Sequence, residues 1–328
     1  MSERNLVSNL MSKNITTEPI RKGFGRGLLK AGQLDVNVVA ACADLTESTQ
    51  MHLFKEAFAE RFVEIGVAEQ NLVTVGSGLA AMGKIPFVSS YAAFSPGRNW
   101  EQIRTTICLN NQPVKIIGSH AGISVGPDGA THQMLEDIAL MRVLPNMVVL
   151  APGDSIEAEK MTIAMANDSR PNYMRLAREA TPVFTTTKTP FEIGKAYVFE
   201  PGNDVTIVAT GTMTYHALVA AEKLYKEGID AEVIHVPTIK PLDVATILKS
   251  VRKSRAVVTA EEAQYTGGLG GTIAELLAEE IPVPLKRVGI IDRFGESGKP
   301  DELLKHFGLS TENIMLAAHI VHDKKLQN

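Results

Sequence analysis

The chain has 328 residues, 45% of them hydrophobic and 21% charged, with 33 Lys+Arg against 37 Asp+Glu and a formal net charge of −4. This is the composition of an ordinary soluble globular protein, and the length exceeds one typical domain and suggests two. With no basic block and a slightly acidic balance, neither nucleic acid nor an anionic membrane is expected as a partner.

The first residues, MSERNLVSNLMSKNITTEP, hold no continuous apolar run of the kind that forms a signal peptide or crosses a bilayer. They read as a frayed lead-in to a first helix over 19–32, and the cytoplasm is the default location. The glycosylation sequon at Asn14 carries no meaning without a secretory signal. Beyond the lead-in, short β-branched runs alternate with amphipathic stretches. Strands are expected at 36–41, 85–90, 114–118, 147–151 and 172–176, then at 204–210, 230–236, 255–260 and 284–290. Helices are expected at 155–167, 214–228, 271–280 and 311–323. Continuous rather than alternating apolar strands, separated by helices, argue for an α/β fold whose mostly parallel sheets are covered on both faces. Threonines between prolines in EATPVFTTTKTPFE, 179–192, suit neither helix nor packed strand and mark a linker. The expected organisation is a flexible lead-in 1–17, one domain over 18–185 and a second over 190–328. Cys42 and Cys108 lie in apolar contexts and read as buried small hydrophobes of a reducing compartment; the absence of CxxC and HExxH speaks against a structural zinc site.

Five segments carry chemistry-bearing residues. In ADLTES, 43–48, Asp44, Thr46 and Ser48 either cap the next helix or offer polar groups at a strand's carboxyl end. Glu69 stands where the β-like run FVEIGVA meets a helix. One reading is an acid complementing the helix dipole. The other is a carboxyl in apolar surroundings, which would disfavour its charged form and suit it to acid–base work. In SSYAAFSPGRNW, 89–100, Tyr91 and Phe94 are either core residues or a stacking wall for a flat heterocycle. The loop SHAGISVGPDGATHQMLED, 119–137, follows a strand, where α/β sheets bind ligands. It brings His120, Asp128 and His132 among glycines, with no Lys-Ser/Thr pair for a P-loop and no third ligand for zinc. Finally, the glycines of YTGGLGG, 265–271, miss the dinucleotide fingerprint at Ile273 and serve either helix–strand packing or anion binding.

Taken together, RFVEIGVAEQN, SYAAF, HAGISVGPDGATHQ, LEDIALMRVLPNMVVLAPGD and the late GGLGG resemble the C-terminal half of transketolase, from about residue 18 to the C-terminus. The resemblance implies a pyrimidine-binding domain followed by the transketolase C-terminal domain. The family's metal-binding GDG motif does not occur. The resemblance therefore implies one subunit of a split transketolase, inactive alone. An N-terminal partner subunit would bring the diphosphate site and Mg²⁺ or Ca²⁺.

The resemblance also implies roles. Glu69 aligns with the glutamate that hydrogen-bonds N1′ of the thiamine diphosphate aminopyrimidine and favours its imino tautomer, and the apolar flanks would keep that carboxyl protonated. Tyr91 and Phe94 match aromatics that pack on the pyrimidine; SPGRNW breaks the register, so Trp100 has no clean counterpart. Asp44 falls at an acid near the cofactor. Asp128 would meet a hydroxyl near the transferred two-carbon unit, while His120, Arg178, Arg21 and Ser48 would meet the sugar phosphate's phosphate end. His132 would line the site. Self-association through the pyrimidine domain is implied as well. Rival readings are a deoxyxylulose-phosphate-synthase-like chain, a 2-oxo-acid dehydrogenase E1 β-like subunit, and a non-catalytic homologue that binds an anion or a partner.

Overall fold

The computed structural model describes residues 5–327. The first half runs β1 (Thr17–Pro19), α1 (Ile20–Leu34), β2 (Val38–Cys42), α2 (His52–Ala57), β3 (Phe62–Glu64), α3 (Glu69–Ala81), β4 (Ile85–Tyr91), α4 (Trp100–Gln102), β5 (Lys115–Ser119), α5 (Asp137–Arg142), β6 (Val148–Leu150), α6 (Ser155–Ala166), β7 (Asn172–Arg175) and β8 (Ala180–Pro182). The second half runs β9 (Tyr197–Glu200), β10 (Val205–Ala209), α7 (Met213–Lys226), β11 (Ala231–His235), β12 (Thr238–Lys240), α8 (Val244–Ser254), β13 (Val257–Gln264), α9 (Leu269–Glu280), β14 (Leu285–Ile290), α10 (Pro300–His306) and α11 (Thr311–Leu326).

Two helix-covered sheets result, as the continuous apolar strands require. The first has seven strands in the order β12-β6-β7-β5-β4-β2-β3, parallel except for β12. The second has five in the order β14-β13-β10-β11-β9, parallel except for β9. Strand β2, VVAAC, is buried at every position, and separate apolar clusters fill the two faces of its sheet. Fully buried side chains such as Phe87, Ile116, Ile117 and Tyr173 each contribute about 1.5–3 kcal/mol of transfer free energy. Helices α1 and α6 pack at the distance that glycine allows: a Cβ on Gly23 would lie 1.8 Å from the Ser155 carbonyl oxygen. The α6 helix is begun by Asp154, whose Oδ1 accepts from the Glu157 amide at 3.0 Å, a cap that contributes about 1 kcal/mol.

Where the sequence suggests a frayed lead-in, the described part of that segment, from Asn5 onward, is fastened. The Val7 amide donates to the Phe184 carbonyl at 3.0 Å, and Leu6, Val7 and Leu10 pack against the core of the second sheet. β1 pairs with β8 in a small antiparallel ribbon. The linker is fastened too. Asp154 Oδ2 accepts from the amides of Phe184 (2.9 Å) and Thr185 (2.6 Å), and Glu157 Oε2 lies 2.8 Å from Nε2 of the second sheet's buried His235. β12 lies past the linker in sequence, yet its edge pairing with β6 completes the first sheet. Among the described residues no helix is long and apolar enough to cross a membrane.

Candidate active site

Because β2, β4, β5 and β7 are parallel, their carboxyl ends share one edge of the sheet, the edge where α/β proteins place ligands. The register sets Tyr91 opposite Ser119 and Gly118 opposite Arg175. The segments following Cys42, Tyr91, Ser119 and Arg175 therefore emerge side by side. They carry most of the residues singled out from sequence.

Glu69 is the first residue of α3 and is 1% exposed. Its surroundings are not apolar, which corrects the expectation drawn from its neighbours in sequence. Ser90 Oγ donates to Oε1 at 3.2 Å, Arg98 Nη1 to Oε2 at 2.7 Å, and Asn99 Nδ2 to the backbone carbonyl at 2.9 Å. The guanidinium of Arg98 forms an ion pair with Oε2. The segment SPGRN, which breaks the family's register, is thus the clasp on Glu69. Arg98 was not singled out from sequence; an arginine in a turn looks like any solvated cation until α3 and the 91–99 segment are brought together.

Tyr91 and Phe94 form a wall rather than core. Their ring centroids are 6.2 Å apart; Tyr91 stacks on His120 at 3.9 Å, and His132 meets Phe94 edge-on at 5.5 Å. The Arg98 guanidinium lies 4.7 Å over the Phe94 ring and joins this wall to Glu69. His120 has a left-handed backbone, φ 57, with Ser119 Oγ 2.9 Å from Nδ1. Burial, then the charges of Arg21 and Arg178, lower its pKa to about 3, so the imidazole is neutral at physiological pH.

Those two arginines define a basic end. Burial and then the nearby Arg178 charge hold the Arg21 guanidinium below its ordinary pKa. Arg21 Nη1 donates to the backbone carbonyl of Ser48 at 2.7 Å, while its buried Nε has no partner. Arg178 Nη1 donates to the Val125 carbonyl at 2.7 Å, with Asp128 Oδ2 at 3.5 Å and Glu179 Oε1 at 3.6 Å. An orphaned buried guanidinium N–H beside a second arginine and a neutral imidazole is a donor set for an anionic oxygen.

Asp44 departs from the capping reading. It is exposed, has φ 58, and its amide donates to Glu64 Oε1 at 2.7 Å, while Thr46 Oγ1 donates to Glu64 Oε2 at 3.0 Å. The N-cap position of α2 is Met51, with no side-chain cap, so neither Asp44 nor Ser48 caps it. Trp100 faces the core, donating to the Leu140 carbonyl at 2.8 Å. The glycine turn at 267–271 is already filled by the chain's own carboxylate. Glu261 accepts from the amides of Leu269 and Gly270, both at 2.7 Å, and burial raises its pKa to about 7. The expected alternative of a bound anion there is superseded by this internal cap.

A flat aminopyrimidine fits the residues present: a buried carboxylate beside an aromatic wall on a sheet edge. Among the described residues no group of three or more His, Cys, Asp or Glu could hold a metal ion.

The model of the transketolase pyrimidine-binding domain matches residues 18–183, and that of the transketolase C-terminal domain matches 194–314. A putative transketolase C-terminal section from Methanocaldococcus jannaschii is 45% identical over 309 residues, covering 93% of this chain and 96% of the relative. The 6-deoxy-6-sulfo-D-fructose transketolase subunit SqwH of a Clostridium species is 42% identical, covering 91% and 92%. A solved split-gene transketolase, described as an inactive β4 tetramer, superposes with a TM-score of 0.87 at 43% identity, covering 93% of this chain and 98% of that one.

Proposed function

The chain belongs to the transketolase family, with the family's pyrimidine-binding and C-terminal domains. From that premise we propose that it is the C-terminal subunit of a split, thiamine-diphosphate-dependent transketolase that moves a two-carbon ketol unit between sugar phosphates. An N-terminal partner subunit would hold the diphosphate through Mg²⁺ or Ca²⁺. What carries the reading is one arrangement: Glu69 beside the Tyr91–Phe94 wall on a sheet edge, with His120 stacked on Tyr91 and the charges of Arg21 and Arg178 close to that imidazole. Relatives named as a C-terminal section, as a subunit and as a split-gene chain support the division of labour.

The cofactor, when bound, supplies the carbanion chemistry. This chain positions it and manages protons. Glu69 Oε1, whose partner is the Ser90 hydroxyl, would hold a proton at the pyrimidine N1′, while Arg98 keeps Oε2 fixed. Tyr91 and Phe94 pack on the ring and exclude water. Asp44 stays on the cofactor side only through its loop. Arg21, Arg178 and the Ser48 loop meet the phosphate end, the neutral His120 adds a donor without adding charge, and Asp128 accepts from a hydroxyl. His132 lines the wall. Apolar side chains exposed around β3 and α3, such as Val67 and Met82, suit self-association through the pyrimidine domain.

The test is reconstitution with a candidate N-terminal partner, thiamine diphosphate and Mg²⁺, with xylulose 5-phosphate as donor and ribose 5-phosphate as acceptor. Ketol transfer that requires every component is the expected result. No partner-dependent turnover would overturn the proposal, and condensation of pyruvate with glyceraldehyde 3-phosphate instead would move it to the deoxyxylulose-phosphate-synthase reading.

A further inference from the structure

Glu262 lies in β13 of the C-terminal domain, 3% exposed, and it reaches across to the substrate loop of the pyrimidine domain. Its Oε1 accepts from the Ser124 amide at 2.8 Å, its Oε2 from Thr212 Oγ1 at 2.8 Å, and its backbone carbonyl from Arg175 Nη2 at 3.1 Å. The loop is shaped around this carboxylate: Gly122 has φ +94, and a Cβ there would lie 2.3 Å from Glu262 Oε1. Ser124 sits in a single 3₁₀ turn, Ile123–Val125, and the carbonyl of Val125 is the acceptor that holds Arg178 Nη1 at 2.7 Å. A continuous path therefore runs from Thr212 through Glu262 and the 3₁₀ turn to Arg178, with His120 two residues before Gly122. The loop's far end also meets that domain, since Gln133 Nε2 lies 2.9 Å from the Glu296 carbonyl, while its contacts with the Ile123 and Gly126 carbonyls stay within the loop.

We infer that Glu262 is a positioning residue through which the C-terminal domain sets the geometry of the anion-binding end of the site. The inference rests on the reading of Arg21, His120 and Arg178 as that end. A charge-assisted bond to a backbone amide is about twice as strong as a neutral one, which suits a carboxylate to fixing a glycine-rich turn. The effect passes through Val125 and Arg178.

Two measurements on the full chain test this. The first is amide hydrogen exchange of the segment around Ser124, and the second is calorimetric titration with inorganic phosphate. E262A should speed exchange at Ser124 about tenfold or more and weaken phosphate binding about fivefold. E262Q, which keeps a carbonyl acceptor for the amide, should recover most of both. T212V, which removes only the far contact, should stay within about twofold of the wild-type phosphate affinity. E262D, whose carboxyl is withdrawn by one methylene, should match E262A and replaces it if the alanine variant does not fold. Unchanged exchange at Ser124 in E262A or E262D would overturn the clamp. Faster exchange with unchanged phosphate affinity would reduce Glu262 to a purely structural role and overturn the inference. A wild-type chain that takes up no phosphate would overturn the underlying anion-end reading, while the exchange data still judge the clamp.

Discussion

Removing the cation that faces Glu69, by Arg98→Met, tests whether the local environment of that carboxylate is what the geometry states. Nη1 of Arg98 lies 2.7 Å from Oε2, with the arginine side chain 49% exposed and the glutamate 1%. Hydrogen bonds to charged groups contribute about 1.5–3 kcal/mol, and stripping one partner from a fully buried pair costs about 3–5 kcal/mol. Arg98 is half in water, so solvent screening puts this pair at the low end, about 1.5 kcal/mol of coupling. R98M also loses the guanidinium's contact with the Phe94 ring, roughly 0.5–1 kcal/mol, but that loss occurs whether or not Glu69 is charged. A double-mutant cycle of R98M, E69Q and the double variant, read by urea unfolding of the full chain, therefore isolates the pair. The expected coupling is about 1.5 kcal/mol, a little over tenfold in the unfolding constant. A coupling below about 0.5 kcal/mol would show that Arg98 does not hold Glu69 in solution and would refute the argument.

In the reconstituted complex, E69Q should lower ketol transfer by about 10²-fold or more, the range for a lost proton-transfer group, with its circular dichroism unchanged; near-normal turnover would remove Glu69 from the chemistry. His120 has its pKa lowered to about 3 in the folded chain, so between its unfolded value and pH 3 the unfolded state binds more protons. Its burial thus costs nothing at neutral pH and destabilises progressively as pH falls through that window, by roughly 3 kcal/mol at pH 4. H120N should flatten that part of the stability–pH curve, and a curve that keeps its wild-type slope would contradict the assignment. Y91A removes both the stack on His120 and the contact with Phe94, and should weaken thiamine diphosphate binding to the complex by up to about tenfold, read by cofactor titration. G23A would drive a methyl into the Ser155 carbonyl and should cost about 1–3 kcal/mol by separating α1 from α6, measured as a lowered urea midpoint.

Much of the architecture was legible because it rests on local periodicity. Runs such as VNVVAA and VKIIG are apolar on both faces, and only a covered parallel strand satisfies them, so the α/β class and most strands could be read directly. The short pieces could not. β9 and β12 are defined by pairing with distant strands, and the 5–17 segment is ordered by contacts with the linker and the second core rather than by its own sequence.

At the site the division is similar. Residue type and order along the chain were enough to single out Glu69, the Tyr91–Phe94 pair, His120 and Asp128 as candidates, whereas Arg21 and Arg178 entered only through the resemblance to the family. Their surroundings were decided by the fold. The flanks of Glu69 in sequence are apolar, yet its contacts in space come from Ser90, Arg98 and Asn99, more than 20 residues away. Likewise the GGLGG turn looks open to an anion until Glu261 reaches it from β13, and Glu262, its neighbour in that strand, turns the other way to grip the substrate loop. Sequence alone determined which groups are available and which strands must be buried. Only the tertiary structure decided which charge faces which, because electrostatic and hydrogen-bond energies depend on distances of a few ångströms that are set by packing between segments remote in the chain.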